Sequence, residues 1–144
     1  MSLPAPRPGL VIHYAYLWLR EARAGAAEAR KDRPCAIVLA VRRDAEGDLM
    51  VVVAPITRQP PRDPAAAVEI PAGVKAALGL DAERSWVMTD EVNQFAWPGF
   101  DLRPVPGAPG RHDYGMLPRP LFERVRRAIL ERLHARRARV VPRD

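Results

Sequence analysis

Two apolar runs separated by a polar turn constrain this chain more than any other feature. Pro34 to Val41 reads PCAIVLAV and Leu49 to Ile56 reads LMVVVAPI, with RRDAEGD between them. Neither run alternates with polar residues, and both are rich in branched side chains. Such runs fit strands buried on both faces, and the Gly-Asp turn makes them a hairpin. A hairpin buried on both faces needs cover on each side. The rest of the chain must supply it.

The remaining segments read as short elements. Residues 1–8 (MSLPAPRP) carry three prolines and read as a disordered lead. Gly9 to His13 is a short strand. Tyr14 to Asp32 opens with aromatics and continues as an alanine-, glutamate- and arginine-rich stretch, which favours a short helix inside a long excursion. After the proline-rich loop Thr57 to Pro64 come a strand at Ala67 to Ile70 and a helix starting at Pro71 and stopping at Gly79. Strands follow at Ser85 to Thr89 and Val92 to Trp97. Phe100 to Asp113 is rich in proline and glycine and reads as loop. Pro118 to about Arg137 is the clearest helix, because Leu121, Phe122, Val125, Ile129 and Leu133 share one face. Residues 139–144 read as a basic tail. This order predicts a mainly β fold with a C-terminal helix, a small barrel rather than a doubly wound sheet.

Composition narrows the chemistry. The chain has 144 residues, the size of one domain. Its single cysteine, Cys35, excludes an internal disulfide, and His13, His112 and His134 are too widely spaced to suggest a zinc site. No apolar run has the length of a membrane-spanning helix, and the N-terminus has no secretory pattern, so a cytoplasmic protein is expected. The net charge is +6, but nine arginines against three acids in residues 119–144 account for all of it. Basicity is therefore a property of the last helix and tail, where a solvated face explains it as well as nucleic-acid binding does.

Several ordered segments resemble the MazF/PemK toxin endoribonucleases of type II toxin–antitoxin systems. They are Pro8-Gly9-Leu10-Val11-Ile12, then Arg33-Pro34 followed by an apolar strand, and then Val53-Ala54-Pro55-Ile56-Thr57. Further on come Gly79-Leu80 with Ser85 to Asp90, and Tyr114-Gly115-Met116-Leu117 ahead of the last helix. The likeness covers roughly residues 8–135 and is nearest to the PemK-like branch, so residues 9–138 are read as one such domain. It implies an SH3-like barrel, usually a homodimer. It also implies cleavage of single-stranded RNA without metal or cofactor, by attack of the 2′-hydroxyl on the adjacent phosphate. The acidic C-terminal segment of an antitoxin would block the RNA groove.

The resemblance assigns residues as well. Arg33 matches the catalytic arginine, whose planar fork suits a phosphate. The alternative is a rim arginine paired with Asp32 or Asp90. Thr57 matches a phosphate-binding threonine, or is a turn residue bonding its own backbone. Asp90 matches an acidic position near the RNA. His13 is a candidate acid or base, or a packed histidine. Arg58 and Arg62 could track a phosphate backbone. Tyr16 and Trp18, which alternate with Tyr14, could stack unpaired bases, or seal the barrel or form a dimer contact. Met88 stands where some relatives carry an arginine, which favours as a rival a non-catalytic RNA- or antitoxin-binding module. A protein-interaction domain that binds no nucleic acid is a third reading.

Overall fold

A computed structural model describes residues 3–25, 31–42 and 48–143. The elements run β1 (Leu10–Tyr14), α1 (Leu19–Arg23), β2 (Arg33–Arg42), β3 (Leu49–Thr57), a 3-10 turn (Pro64–Ala66) and β4 (Ala67–Glu69). They continue with α2 (Ala72–Leu78), β5 (Trp86–Met88), β6 (Glu91–Ala96), β7 (Asp113–Met116), α3 (Arg119–His134) and β8 (Arg139–Pro142). The strands form one sheet in the order β4-β5-β3-β2-β1-β7, and β6 pairs with both β3 and β8. The fold is mainly β with a C-terminal helix, as expected, and the sheet does not close on itself.

The central hairpin is buried on both faces from Cys35 to Val38 and from Val51 to Ile56, but toward its turn Leu39 and Val41 are exposed, so burial on both faces holds only for the inner half. Val11, Ala36, Ala54 and Ile56 point into one core, which α2 and α3 cover with Leu78, Leu121, Phe122, Val125 and Ile129. Leu10, Ile12, Tyr14, Cys35, Ile37, Val51 and Val53 point into a second core, closed by Tyr16 and Phe95. Neighbours along a strand alternate between the two, as the period-2 geometry requires. The stacked rings of Tyr14 and Phe95, 4.7 Å apart, fill the second core.

Two segments differ from expectation. The stretch read as loop up to Asp113 ends in β7, which pairs antiparallel with β1. The expected basic tail contains β8, which pairs in parallel with β6, Val141 being buried. Both strands are short and flanked by polar or Pro/Gly residues, so local pattern hides them and only the distant partner strand defines them. Of the excursion after β1, α1 is the helical part. Residues 26–30, with the 43–47 part of the turn between β2 and β3, lie outside the described residues.

Candidate active site

The β2–β3 register pairs Ile37 with Val53, Ala36 with Ala54 and Cys35 with Pro55. Two residues further out the strands end at Arg33 and Thr57, so these two project on the same face. Both line one broad groove of about 1840 Å³, together with Asp90, Arg58, Arg62, Trp18 and Met88.

Arg33 is half-buried. No ion pair is made by it among the described residues, and its Nε is buried with no hydrogen-bond partner. Asp32, the partner considered from sequence, lies instead 3.9 Å from Arg103. The guanidinium packs 4.9 Å from the Trp18 ring centroid. Burial lowers its pKa, but a guanidinium remains charged at neutral pH. The result is a desolvated cation facing the groove with spare donors.

Thr57 Oγ1 accepts a hydrogen bond from the Gln59 amide at 3.1 Å. The turn-type bond foreseen for this residue is therefore formed, and the hydroxyl proton remains available for another acceptor. Asp90, half-buried, sits on the same wall. Arg58 is tied to Glu83 at 2.5 Å and to Asp81 at 3.8 Å, so much of its charge is already balanced. Arg62 is exposed at the groove and makes no ion pair among the described residues.

The aromatic pair separates. Tyr16 is 1% exposed and donates to Glu91 Oε1 at 3.0 Å. Its ring is covered and its hydroxyl engaged by Glu91, while one edge lines the smaller cavity beside the groove. Trp18 is half-buried and carries two guanidiniums, Arg33 and also Arg20 at 5.1 Å. With Arg20, Glu21, Lys31 and Arg33 it lines a smaller cavity of about 430 Å³ that adjoins the groove. This arm is held firmly. Asn93 accepts from Leu17 N at 2.9 Å and donates to Leu17 O at 2.8 Å. Glu91 accepts from Leu19 N at 3.0 Å, and burial raises the pKa of its carboxyl.

His13 does not line the groove. It is 8% exposed, and its Nδ1 lies 2.8 Å from the hydroxyl of Tyr114, which does line it. The imidazole considered from sequence as an acid or base is therefore separated from the groove by the Tyr114 side chain. Sequence reasoning missed Tyr114 as a site residue. The Tyr-Gly pair ahead of α3 was the available signal. It also missed Lys75, 4% exposed, whose Nζ bonds Asp81 at 2.6 Å, Ser85 at 2.7 Å and the Glu83 carbonyl. That ammonium fixes the Asp81–Ser85 loop at the groove edge.

Among the described residues no helix is long and apolar enough to cross a membrane. Residues 15–133 match the family of PemK-like, MazF-like toxins of type II toxin–antitoxin systems. The span takes in Arg33, Thr57, Asp90 and Tyr114 and leaves out His13. Comparison with curated proteins and with solved structures finds no match.

Proposed function

The chain belongs to the PemK-like, MazF-like toxins of type II toxin–antitoxin systems, and from that premise we propose that it is an endoribonuclease that cleaves single-stranded RNA without metal. The observation that carries this reading is the half-buried Arg33 guanidinium, without an ion pair among the described residues, lining together with Thr57 one groove open enough for a nucleic-acid strand. The 2′-oxygen attacks the adjacent phosphorus and the P–O5′ bond breaks. A 2′,3′-cyclic phosphate and a 5′-hydroxyl result. Arg33 meets the charge that builds on the phosphorane oxygens, where a desolvated donor is worth most. Thr57 fixes the phosphate, and Asp90 orients the incoming hydroxyl. Arg62 and the balanced Arg58 follow the backbone beyond the scissile bond. An acidic antitoxin segment would compete for the same cations. A homodimer in the cytoplasm completes this reading.

Incubation of the purified protein with mixed-sequence RNA in EDTA tests it. Cleavage to cyclic-phosphate ends, lost in Arg33→Ala with the fold intact, supports the enzyme. Wild-type cleavage by Arg33→Ala removes Arg33 from the mechanism. Met88 lends an apolar surface to the groove, and it favours the second reading, a binding module. Retarded but intact RNA is the result that reading expects.

A further inference from the structure

Tyr114 is the bulged residue of β7. Val11 stands opposite Gly115, while the next residue of β1, Ile12, stands opposite Asp113. Tyr114 thus has no opposite position in β1. An extra residue of this kind bends the strand and re-aims its side chain. Gly115 takes the positive φ of 112° that follows, and a Cβ there would meet Leu78 at 3.4 Å.

The re-aimed phenol reaches two places. Its side chain lines the groove shared by Arg33, Thr57 and Asp90. Its hydroxyl reaches the covered imidazole of His13, whose ring meets its own edge-to-face at 5.9 Å. His13 stands opposite Pro34, one step from the Tyr14–Arg33 pair, so the phenol–imidazole pair and the guanidinium occupy the same end of the β1–β2 ladder.

Alone, a phenol is a poor base at neutral pH, and burial pushes Tyr114 further up, to about 12. Backed by an imidazole it can pass a proton on while keeping its own count constant. Burial lowers the pKa of His13, which favours the neutral imidazole; in the tautomer with its proton on Nε2, Nδ1 accepts from the phenol. Asp32 acts in the opposite direction and favours the imidazolium once formed.

We propose that Tyr114 takes the proton of the attacking 2′-hydroxyl while handing its own to His13, so that Tyr114 is the catalytic residue and His13 the positioning residue behind it. This rests on the endoribonuclease reading above. The 2′-oxygen bonds to phosphorus as its proton moves to Tyr114 Oη, and the Tyr114 proton moves to His13 Nδ1. The 5′-oxygen leaves with its electron pair and takes a proton from water. The resulting hydroxide removes the proton from His13. No water is consumed, and the cyclic phosphate and 5′-hydroxyl remain.

The test measures single-turnover cleavage of single-stranded RNA in EDTA, RNA affinity by anisotropy, and melting temperature, all on the full chain. Tyr114→Phe is expected to lower the cleavage rate about 100-fold with affinity and melting unchanged. His13→Asn lowers the rate similarly, and the double variant is no slower than either single one, because the two act as a unit. A structural pair would instead move melting or affinity and leave the rate of bound RNA alone. Wild-type cleavage by Tyr114→Phe, with Arg33→Ala inactive, overturns the relay and leaves the site reading standing. Intact RNA with the unmodified chain overturns both.

Discussion

Arg33 and Thr57 end adjacent antiparallel strands in one register, two residues beyond the Cys35–Pro55 pair. The same register sends Cys35, Ile37 and Val53 to one core and Ala36 and Ala54 to the other. A slip of one residue would exchange the two sets and bury neither well. The packing of two hydrophobic cores therefore sets the strand ends that bring Arg33 and Thr57 to one groove, with no polar contact needed between them.

Arg33→Met should cost nothing in stability while removing cleavage. The buried Nε has no acceptor among the described residues, and an unsatisfied buried donor costs about 1–3 kcal/mol. The contact with Trp18 returns only about 0.5–1 kcal/mol. Calorimetry should show a melting temperature unchanged or raised by about 2–4 °C. A clear fall would mean that the arginine is kept for the fold.

Thr57→Ser and Thr57→Val should part company. Serine keeps the acceptor for the Gln59 amide and a proton for phosphate, so cleavage within about threefold of wild type is expected. Valine keeps the shape and loses both. Its cleavage should fall about 10- to 100-fold, for about 1 kcal/mol of stability. Equal activity in the two variants would leave the hydroxyl without a function.

Lys75→Met should lower stability by about 2 kcal/mol, since three charge-assisted contacts go at once. It should also flatten the acid limb of the stability curve. Hydrogen bonding to Lys75 holds the Asp81 carboxyl below its ordinary pKa of 3.8. The unfolded chain binds that proton more readily, so the contribution is complete above about pH 4 and disappears as the pH falls through the lower folded value. Urea denaturation from pH 6 to pH 2 measures both effects, and parallel curves for the two proteins would refute the linkage.

Asn93→Ala should loosen the arm that carries Trp18. Leu17 would lose partners at both N–H and C=O, a cost of about 3 kcal/mol for two buried backbone groups. Amide exchange at residues 15–19 should accelerate more than exchange in β2 and β3, and cleavage should drop as the cover over Arg33 relaxes. Uniform acceleration across the sheet would mean that Asn93 supports the whole fold and not the arm.

The core was more legible in the sequence than the site. The apolar runs PCAIVLAV and LMVVVAPI pointed to a hairpin covered on both faces, and the two cores follow from that, although Leu39 and Val41 near the turn remain exposed. The face of α3 was equally plain from Leu121, Phe122, Val125 and Ile129. Asp113 to Met116 and Arg139 to Pro142 were not legible as strands, because each owes its conformation to a partner far away in sequence. Arg33 and Thr57 were found through likeness to a family, and the groove they share is a product of register. Tyr114 escaped because a bulge is a mismatch between two strands, and neither strand reports it alone.

One further consequence concerns the end of the chain. The Arg143 side chain, 4% exposed, pairs with Asp101 at 3.1 Å and bonds the Ala15 carbonyl at 2.6 Å, at the root of the arm that covers Arg33. A chain without this side chain has every strand of the central hairpin but lacks the pin beneath the arm. Loss of this one C-terminal side chain should therefore loosen the arm over Arg33 while the central hairpin keeps its packing.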